Sequence, residues 1–434
     1  MHEDLAYMAL DVESAYLNAE FEDGIYMKLD PHVAEIMVEM DPSVKEFVDS
    51  DGCLYVRIMK ALYGLQESAR LWYNTLGTSL KKLGLERSNY DHALYFKKGP
   101  DGQVRLIVLV YVDDMLVAGV KEEVESLKTG LEKEYTLKSS GLNPKEFGYV
   151  GVKIEHDVQD GSFLLSQPGI LDEITNEVGT AIDTVPCDAN LYEETNATPF
   201  EDVTKFRSDL MKISYVSRTR PDIRVPIGYL PTKMQKPSQG DWSKLLKVKR
   251  YLNGTKHLKL RIKPVEEIQV YALSDASFGP FKDGKSNTGF VVTVGAPNAP
   301  IIVKSSKQKS VANSSTAAER IAFSSTLEEV LWMKELLDEL GYAQDTIQIE
   351  QDNQSTMKLI EKGPSSGGRT KWLNIKHFWV TDKIVDKTVM PVYVPSLKLL
   401  ADGLTKPLPR KLFRVWRARI LKFRERPEDD SKTE

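Results

Sequence analysis

The chain is 434 residues long and carries a formal net charge of −5. That length exceeds one ordinary hydrophobic core, so two or three domains are expected. A content of 41% hydrophobic and 28% charged residues matches a soluble globular protein. No apolar run reaches the ~18–20 residues that a membrane span needs, so no membrane partner is expected.

In chain order, Tyr7–Val12 reads as a strand and Ala69–Leu83 as a helix. Val104–Val120 reads as a hairpin whose apolar run is interrupted by Asp113-Asp114. Residues 121–135 read as helical and 147–166 as strand-rich. Pro186–Phe200, rich in Asn, Thr and acids, reads as loop. Residues 202–255 read as helices, broken ahead of Pro221 and Pro237 because a proline restricts the residue before it.

A different rhythm begins near residue 266, which places a boundary at Lys263–Glu267. Strands Ile268–Leu273, Thr288–Val294 and Ile301–Ser305 precede a long periodic helix, Thr316–Leu340, closed by Gly341. Strand Ile347–Glu350, a helix, strand Val389–Val394 and a basic helical end follow. This order predicts an α/β domain with a mixed central sheet. Residues 427–434 have the composition of a disordered tail.

Cys53 and Cys187 are far apart without metal-ligand spacing, which speaks against a zinc site and for a reducing compartment. Phosphate binding usually leaves a basic footprint, which the net charge does not show. Basic residues do gather in two groups. One is Lys244, Lys247, Lys249, Arg250, Lys256, Lys259, Arg261 and Lys263. The other is Lys406, Arg410, Lys411, Arg414, Arg417, Arg419, Lys422, Arg424 and Arg426, interleaved with Phe413, Trp416 and Phe423. Either group could meet phosphate, or simply be a solvated helix face.

Two sets of acids carry the chemistry. Asp11 closes the first strand and Asp113-Asp114 interrupts the hairpin. Acids at strand ends can project into one cleft, where mutual repulsion becomes tolerable once divalent cations lie between them. Alone, Asp113-Asp114 reads first as a polar turn. In the second half, Asp275 ends a strand, Glu319 lies in the first turn of the long helix, Asp352 follows a strand, and Asp402 sits in Ala401-Asp-Gly-Leu-Thr-Lys. Each has a structural alternative: Thr316-Ala-Ala-Glu319 fits a capping box, Asp352 a turn or cap, Asp275 a strand-end turn, and Asp402 a surface position.

The surroundings of these acids decide the matter. Asp11-Val-Glu-Ser-Ala-Tyr-Leu-Asn, Ala61-Leu-Tyr-Gly-Leu, Arg70-Leu-Trp-Tyr and Tyr111-Val-Asp-Asp-Met resemble, in order, the palm motifs of copia-type (Ty1/copia) retrotransposon reverse transcriptases. Leu165-Ser-Gln, Thr219-Arg-Pro-Asp-Ile and Arg250-Tyr-Leu-Asn-Gly-Thr resemble the later polymerase and its connection. Asp275, Glu319, Asp352 and Asp402 match the acid quartet of the ribonuclease H that follows in the same Pol polyprotein. The resemblance runs from about residue 7 to 420.

The resemblance implies an RNA-directed DNA polymerase with ribonuclease H activity. It implies a palm over 1–170, a thumb and connection over 171–264 and a ribonuclease H-like domain over 265–426. Asp11 and Asp113 would be metal ligands with Asp114 in support. Tyr16 would be the gate against a ribose 2′-hydroxyl, and Tyr63, Gly64 and Arg70 would lie along template and nucleotide. Asp275, Glu319, Asp352 and Asp402 would be the second set of metal ligands. Each site would use two Mg²⁺, with Mn²⁺ as a substitute. Partners would be an RNA template, a DNA primer, the RNA/DNA hybrid and deoxynucleotide triphosphates, in the cytoplasm, virus-like particles or nucleus.

There are departures. The family's Lys-Gln-Ala-Pro-Arg is Gln66-Glu-Ser-Ala-Arg70 here, which loses a lysine and gains an acid beside an anionic substrate. Family members carry a fingers segment that grips the triphosphate before the first aspartate; with about ten residues before Asp11 here, that segment is expected to be absent. Trp372 and Phe378 stand where histidines are common, with His377 next door. Two alternatives follow: an active ribonuclease H beside a polymerase-incompetent palm, or a non-catalytic nucleic-acid-binding relic.

Overall fold

The computed structural model describes residues 5–21, 24–295, 300–362 and 379–423. The chain divides into two compact units, residues 1–144 and 145–434. Trp372, His377, Phe378 and the 427–434 tail lie outside the described residues.

The first unit is built on a six-stranded sheet. In chain order its elements are β1 (Leu5–Val12), β2 (Tyr26–Leu29), α1 (Pro31–Met40), β3 (Leu54–Arg57), α2 (Ser68–Lys82), β4 (Glu86–Arg87), β5 (Leu94–Lys98), β6 (Val104–Tyr111), β7 (Asp114–Val120), α3 (Lys121–Leu131) and β8 (Leu137–Ser139). The sheet order is β4-β5-β6-β7-β1-β8, while β2 and β3 form a separate pair. Alternate residues of β1 (Ala6, Met8, Leu10, Val12) are buried, together with Leu106, Val108, Met115 and Val117. Trp72, Leu76 and Leu80 of α2 and Val124, Leu127 and Leu131 of α3 complete that core. Strand periodicity of two and helical spacing of three and four therefore meet on one face.

The second unit begins with β9 (Glu146–Tyr149), β10 (Val152–Asp157) and β11 (Ser162–Ser166). Helices α4 (Pro168–Thr175), α5 (Val203–Val216), α6 (Arg224–Tyr229) and α7 (Gln239–Gly254) follow, then β12 (Leu260–Ile262). Next come β13 (Val270–Ser277), β14 (Asn287–Val294), β15 (Ile302–Lys307), α8 (Ser315–Glu339), β16 (Ile347–Gln351), α9 (Gln354–Lys362), β17 (Val389–Tyr393) and α10 (Arg410–Leu421). The sheets are β12-β11-β10-β9 and β15-β14-β13-β16-β17. The latter is mixed, with β13–β16 and β16–β17 parallel.

Packing runs through the boundary near residue 264. One core joins Leu171, Phe206, Leu210, Tyr251 and Leu252 to Val291, Leu404, Phe413 and Trp416. The Thr219-Arg-Pro-Asp and Arg250-Tyr-Leu-Asn-Gly-Thr motifs are two halves of one buried network. Arg220 reaches both Asp222 carboxylate oxygens at 2.9 and 2.7 Å, and the Thr255 carbonyl and hydroxyl at 2.9 and 2.8 Å. The Tyr251 hydroxyl donates to Asp222 as well.

The first basic group is an ion-pair lattice rather than a bare cationic face. Lys247 meets Asp183 and Asp188 at 3.1 Å each, and Arg250 meets Asp183 at 2.7 Å. Lys249 meets Asp209 at 2.6 Å and Glu177 at 2.9 Å. Lys256 pairs with Asp172, Lys259 with Glu155, and Arg261 with Asp157 and Asp160.

Candidate active sites

In the first unit, the antiparallel register sets Asp11 opposite Asp114, and the Val12 N–H donates to the Asp113 carbonyl at 3.0 Å. All three aspartates thus stand at one end of the central strand pair. Asp11 belongs to the β1 face that alternates with the buried one, and its cross-strand partner shares that face. Val112, just before Asp113, has φ +57°, a left-handed conformation that β-branched residues rarely adopt. Trp72 of α2 is buried and donates its indole N–H to the Val112 carbonyl at 2.7 Å. The helix under the sheet therefore holds the turn that presents Asp113.

Tyr16 and Tyr63 lie with ring centroids 4.5 Å apart. The Tyr63 hydroxyl titrates above its ordinary range, through desolvation first and then the charges of Asp113, Tyr16 and Asp11. Gly64 has φ +99°, a backbone state that glycine alone adopts readily, so the chain can turn directly after Tyr63. Arg70 is exposed in the first turn of α2.

In the second unit, Asp275, Glu319 and Asp352 come together, with one carboxylate oxygen from each mutually within 4.8 Å. They arrive from β13, α8 and the end of β16. Asp275 does not end its strand as the pattern suggests: β13 continues to Ser277, and Asp275 sits opposite Gly289 of β14. A Cβ at Gly289 would lie 2.6 Å from the Thr405 Cγ2 and 2.9 Å from the Leu404 Cβ. The missing side chain lets the 3₁₀ turn Leu400–Leu404 rest on the sheet, from which the Thr405 hydroxyl reaches the Asp275 Oδ2 at 2.6 Å. Glu319 is not the partner of a capping box. Ser314 caps α8 by accepting the Ala317 N–H at 3.1 Å, leaving Glu319 a helical turn inside. Asp352 does not cap α9 either, because Asn353 accepts the Thr356 N–H at 3.0 Å.

Burial and crowding act together on these acids. Asp275 is 4% and Glu319 6% exposed. Burial, and then the charges of Asp402 and Asp352, push the Asp275 carboxyl up to about 6 against a bond from Thr405 that lowers it. Burial, then Asp275 and Asp352, push Glu319 up to about 9. Asp402 stands just outside the tight trio, with its Oδ1 held by Lys406 at 2.6 Å. Hard oxygen donors that repel one another in a buried place are the donor set that a divalent cation satisfies. Among the described residues no other group of three such side chains is so close.

Sequence reasoning missed the residues that aim these acids. Gln351, Ser396, Thr405 and Lys406 all bond to site carboxylates, with Ser396 donating to Asp352 at 2.6 Å. Thr405 and Lys406 stood in the quoted Asp402 motif, and Gln351 immediately precedes Asp352. Their polar character at such positions was the available signal.

The sheet of the first unit, with acids at one strand end, and the mixed sheet of the second, with its buried acids, have the architecture of a reverse transcriptase. The structure of a foamy viral protease-reverse transcriptase in complex with RNA/DNA hybrid matches 93% of this chain and 45% of that one, at 14% identity and a TM-score of 0.50, a likeness of fold. Residues 2–187 match the family model for reverse transcriptase (RNA-dependent DNA polymerase). A transposon Ty5-1 protein of Saccharomyces cerevisiae is 30% identical over 74% of this chain and all of its own length. The retrovirus-related Pol polyprotein from transposon RE1 of Arabidopsis thaliana is 29% identical over 95% of this chain, which spans 27% of that polyprotein. The chain belongs to the copia-type retrotransposon Pol family, and its residues 2–187 correspond to the reverse transcriptase of that family. No described helix is long and apolar enough to cross a membrane.

Proposed function

We propose that the chain copies RNA into DNA and cleaves the RNA strand of the resulting hybrid, with the palm over 1–170 and the ribonuclease H site in 265–426. The observation that carries the reading is the trio Asp275, Glu319 and Asp352, two of them buried, with oxygens mutually within 4.8 Å. These three, with Asp402 alongside, would hold divalent magnesium, or manganese in its place. Asp11 and Asp113, supported by Asp114, would do so in the palm. Such ions, two to a site, supply Lewis acidity and offset the charge that builds on a phosphodiester under attack.

The protein's own groups set the geometry. Thr405 fixes one Asp275 oxygen and leaves the other free, while Lys406 steadies Asp402 and partly offsets the local negative charge. Preference for an RNA strand would come from contacts to its 2′-hydroxyls, which DNA lacks. In the palm, Tyr16 and Tyr63, with their rings in contact, would crowd the sugar of a nucleotide held by Asp11 and Asp113.

A second reading, ribonuclease H beside an inactive palm, draws support from the contrast between the sites, because the close trio of carboxylates occurs in the second unit alone among the described residues. One reaction separates the two. A labelled DNA primer on an RNA template receives Mg²⁺ and deoxynucleotides, and extension and RNA cleavage are scored together. Extension lost in Asp113→Asn and cleavage lost in Asp352→Asn support the full reading. Cleavage without extension leaves the second.

A further inference from the structure

β16 buries Ile347, Ile349 and Gln351 on one face by strand alternation. Position 351 would complete an aliphatic stripe, yet it holds a fully buried amide. Such a group is tolerated only when its polar atoms are bonded. Gln351 meets that demand with groups that belong to the acid cluster. Its Oε1 accepts the Asp352 N–H at 2.8 Å and the Asn353 N–H at 3.2 Å, and its Nε2 donates to the Glu319 Oε2 at 3.3 Å. The alternative amide orientation would set an NH₂ against the Asp352 and Asn353 N–H donors, so the bonding fixes which end faces which.

We propose that Gln351 is a positioning residue of the ribonuclease H centre, one side chain that ties the Glu319 carboxylate to the backbone bearing Asp352. The proposal rests on the reading of the cluster as a divalent-cation site. Glu319 hangs on a flexible stem from α8, whereas Asp352 leaves the end of β16. Without a tie between them, their separation would depend on how closely the helix and strand pack. The Ala276 N–H bonds the Glu319 carboxyl and ties it to β13; Gln351 adds the tie to β16, joining one oxygen of Glu319 to the start of the turn that carries Asp352. Partners of this kind, which orient ligands without touching the ion, typically change metal affinity 10–100-fold when removed.

The test uses the full chain carrying Asp11→Asn and Asp113→Asn, so that Mn²⁺ binding, followed by calorimetry or electron paramagnetic resonance, reports the second unit. Gln351→Met keeps length and loses every hydrogen bond. Gln351→Asn keeps a short side chain that can bond the local backbone in an Asx-type turn but falls a methylene short of Glu319. Both are expected to weaken Mn²⁺ binding about 10–100-fold with an unchanged unfolding transition. Without the two palm substitutions, both should raise the Mg²⁺ concentration for half-maximal hybrid cleavage, with KM for the hybrid unchanged. If Gln351→Met disturbs folding, Gln351→Asn decides. Mn²⁺ binding that survives Asp275→Asn overturns the metal-centre reading itself. Binding lost in Asp275→Asn but intact in the folded Gln351 variants overturns the role given to Gln351.

Discussion

The Val112 turn shows how a single side chain can hold a neighbouring acid in place. A β-branched residue at positive φ carries strain of about 1–3 kcal/mol, which the surroundings must offset. The Trp72 N–H at 2.7 Å is one of the groups that do so. Trp72→Phe keeps an aromatic side chain but removes the donor, leaving the Val112 carbonyl without this partner. DNA synthesis is expected to fall at least about tenfold, while hybrid cleavage, which we propose for the other unit, stays at the parent rate. Equal loss of both activities would mean that the substitution acts on folding. Glu319 allows a test by pH. Its carboxyl titrates at about 9 in the folded chain against an ordinary value of 4.5, so between those values the folded state holds a proton that the unfolded chain has released. Stability of the metal-free chain must then fall as pH rises through that window. Glu319→Gln removes the proton and the slope, so its melting temperature should gain on the parent's steadily from pH 5 to 9; parallel melting curves would refute the assignment. Asp275, Glu319 and Asp352 were legible because each sits in a short motif. Their separation and burial were not, because those depend on how β13, α8 and β16 pack.

Among elements, the long helix and the apolar strands announced themselves by period; most described ends differ by a residue or two from those read in sequence, while β13 runs four residues further, to Ser277. The β2–β3 pair and α1 did not. Tyr26, Met27, Ile36, Met40 and Tyr55 are exposed there, so their apolar character follows no buried face and leaves no alternation to read. The role of the Thr219–Asp222 and Arg250–Thr255 segments was equally hidden, since hydrogen bonds between distant motifs have no sequence period. Arg220 and Asp222 are 1% exposed each. Asp222→Asn would leave the guanidinium buried beside a neutral partner, a loss of about 3–5 kcal/mol, whereas replacing both residues by aliphatic ones of similar size should lose much less. Denaturant melts of the single and double variants would show this, and equal losses would contradict it. Gly289 makes a related point about element packing. Gly289→Ala should displace the turn carrying Asp402 and Thr405, costing about 1–3 kcal/mol by overpacking and most of the hybrid cleavage. A variant with parental cleavage would show that the turn is not held by its contact with β14.

For the whole molecule, the balance of charge reads differently once pairs are known. Lys244, Lys247, Lys249 and Arg250 follow one another along α7 and look, in sequence, like a stripe for phosphate. In the fold the row is answered by Asp183, Asp188, Asp209 and Glu177, while the Lys244 ammonium donates to the Glu193 carbonyl at 2.6 Å. On α7 these cations are spent on the chain's own acids, which leaves that row little with which to displace counterions from a nucleic acid. The affinity for an RNA/DNA hybrid should therefore depend on salt less steeply than the basic groups suggest. A lysine that contacts phosphate contributes about one to the slope of log affinity against log salt. Lys247→Ala is expected to leave that slope unchanged and to lower stability by less than about 1 kcal/mol, because its two partners are partly solvated. If the slope instead drops by about one, Lys247 leaves Asp183 and Asp188 to grip the substrate, and the α7 row is a binding surface after all.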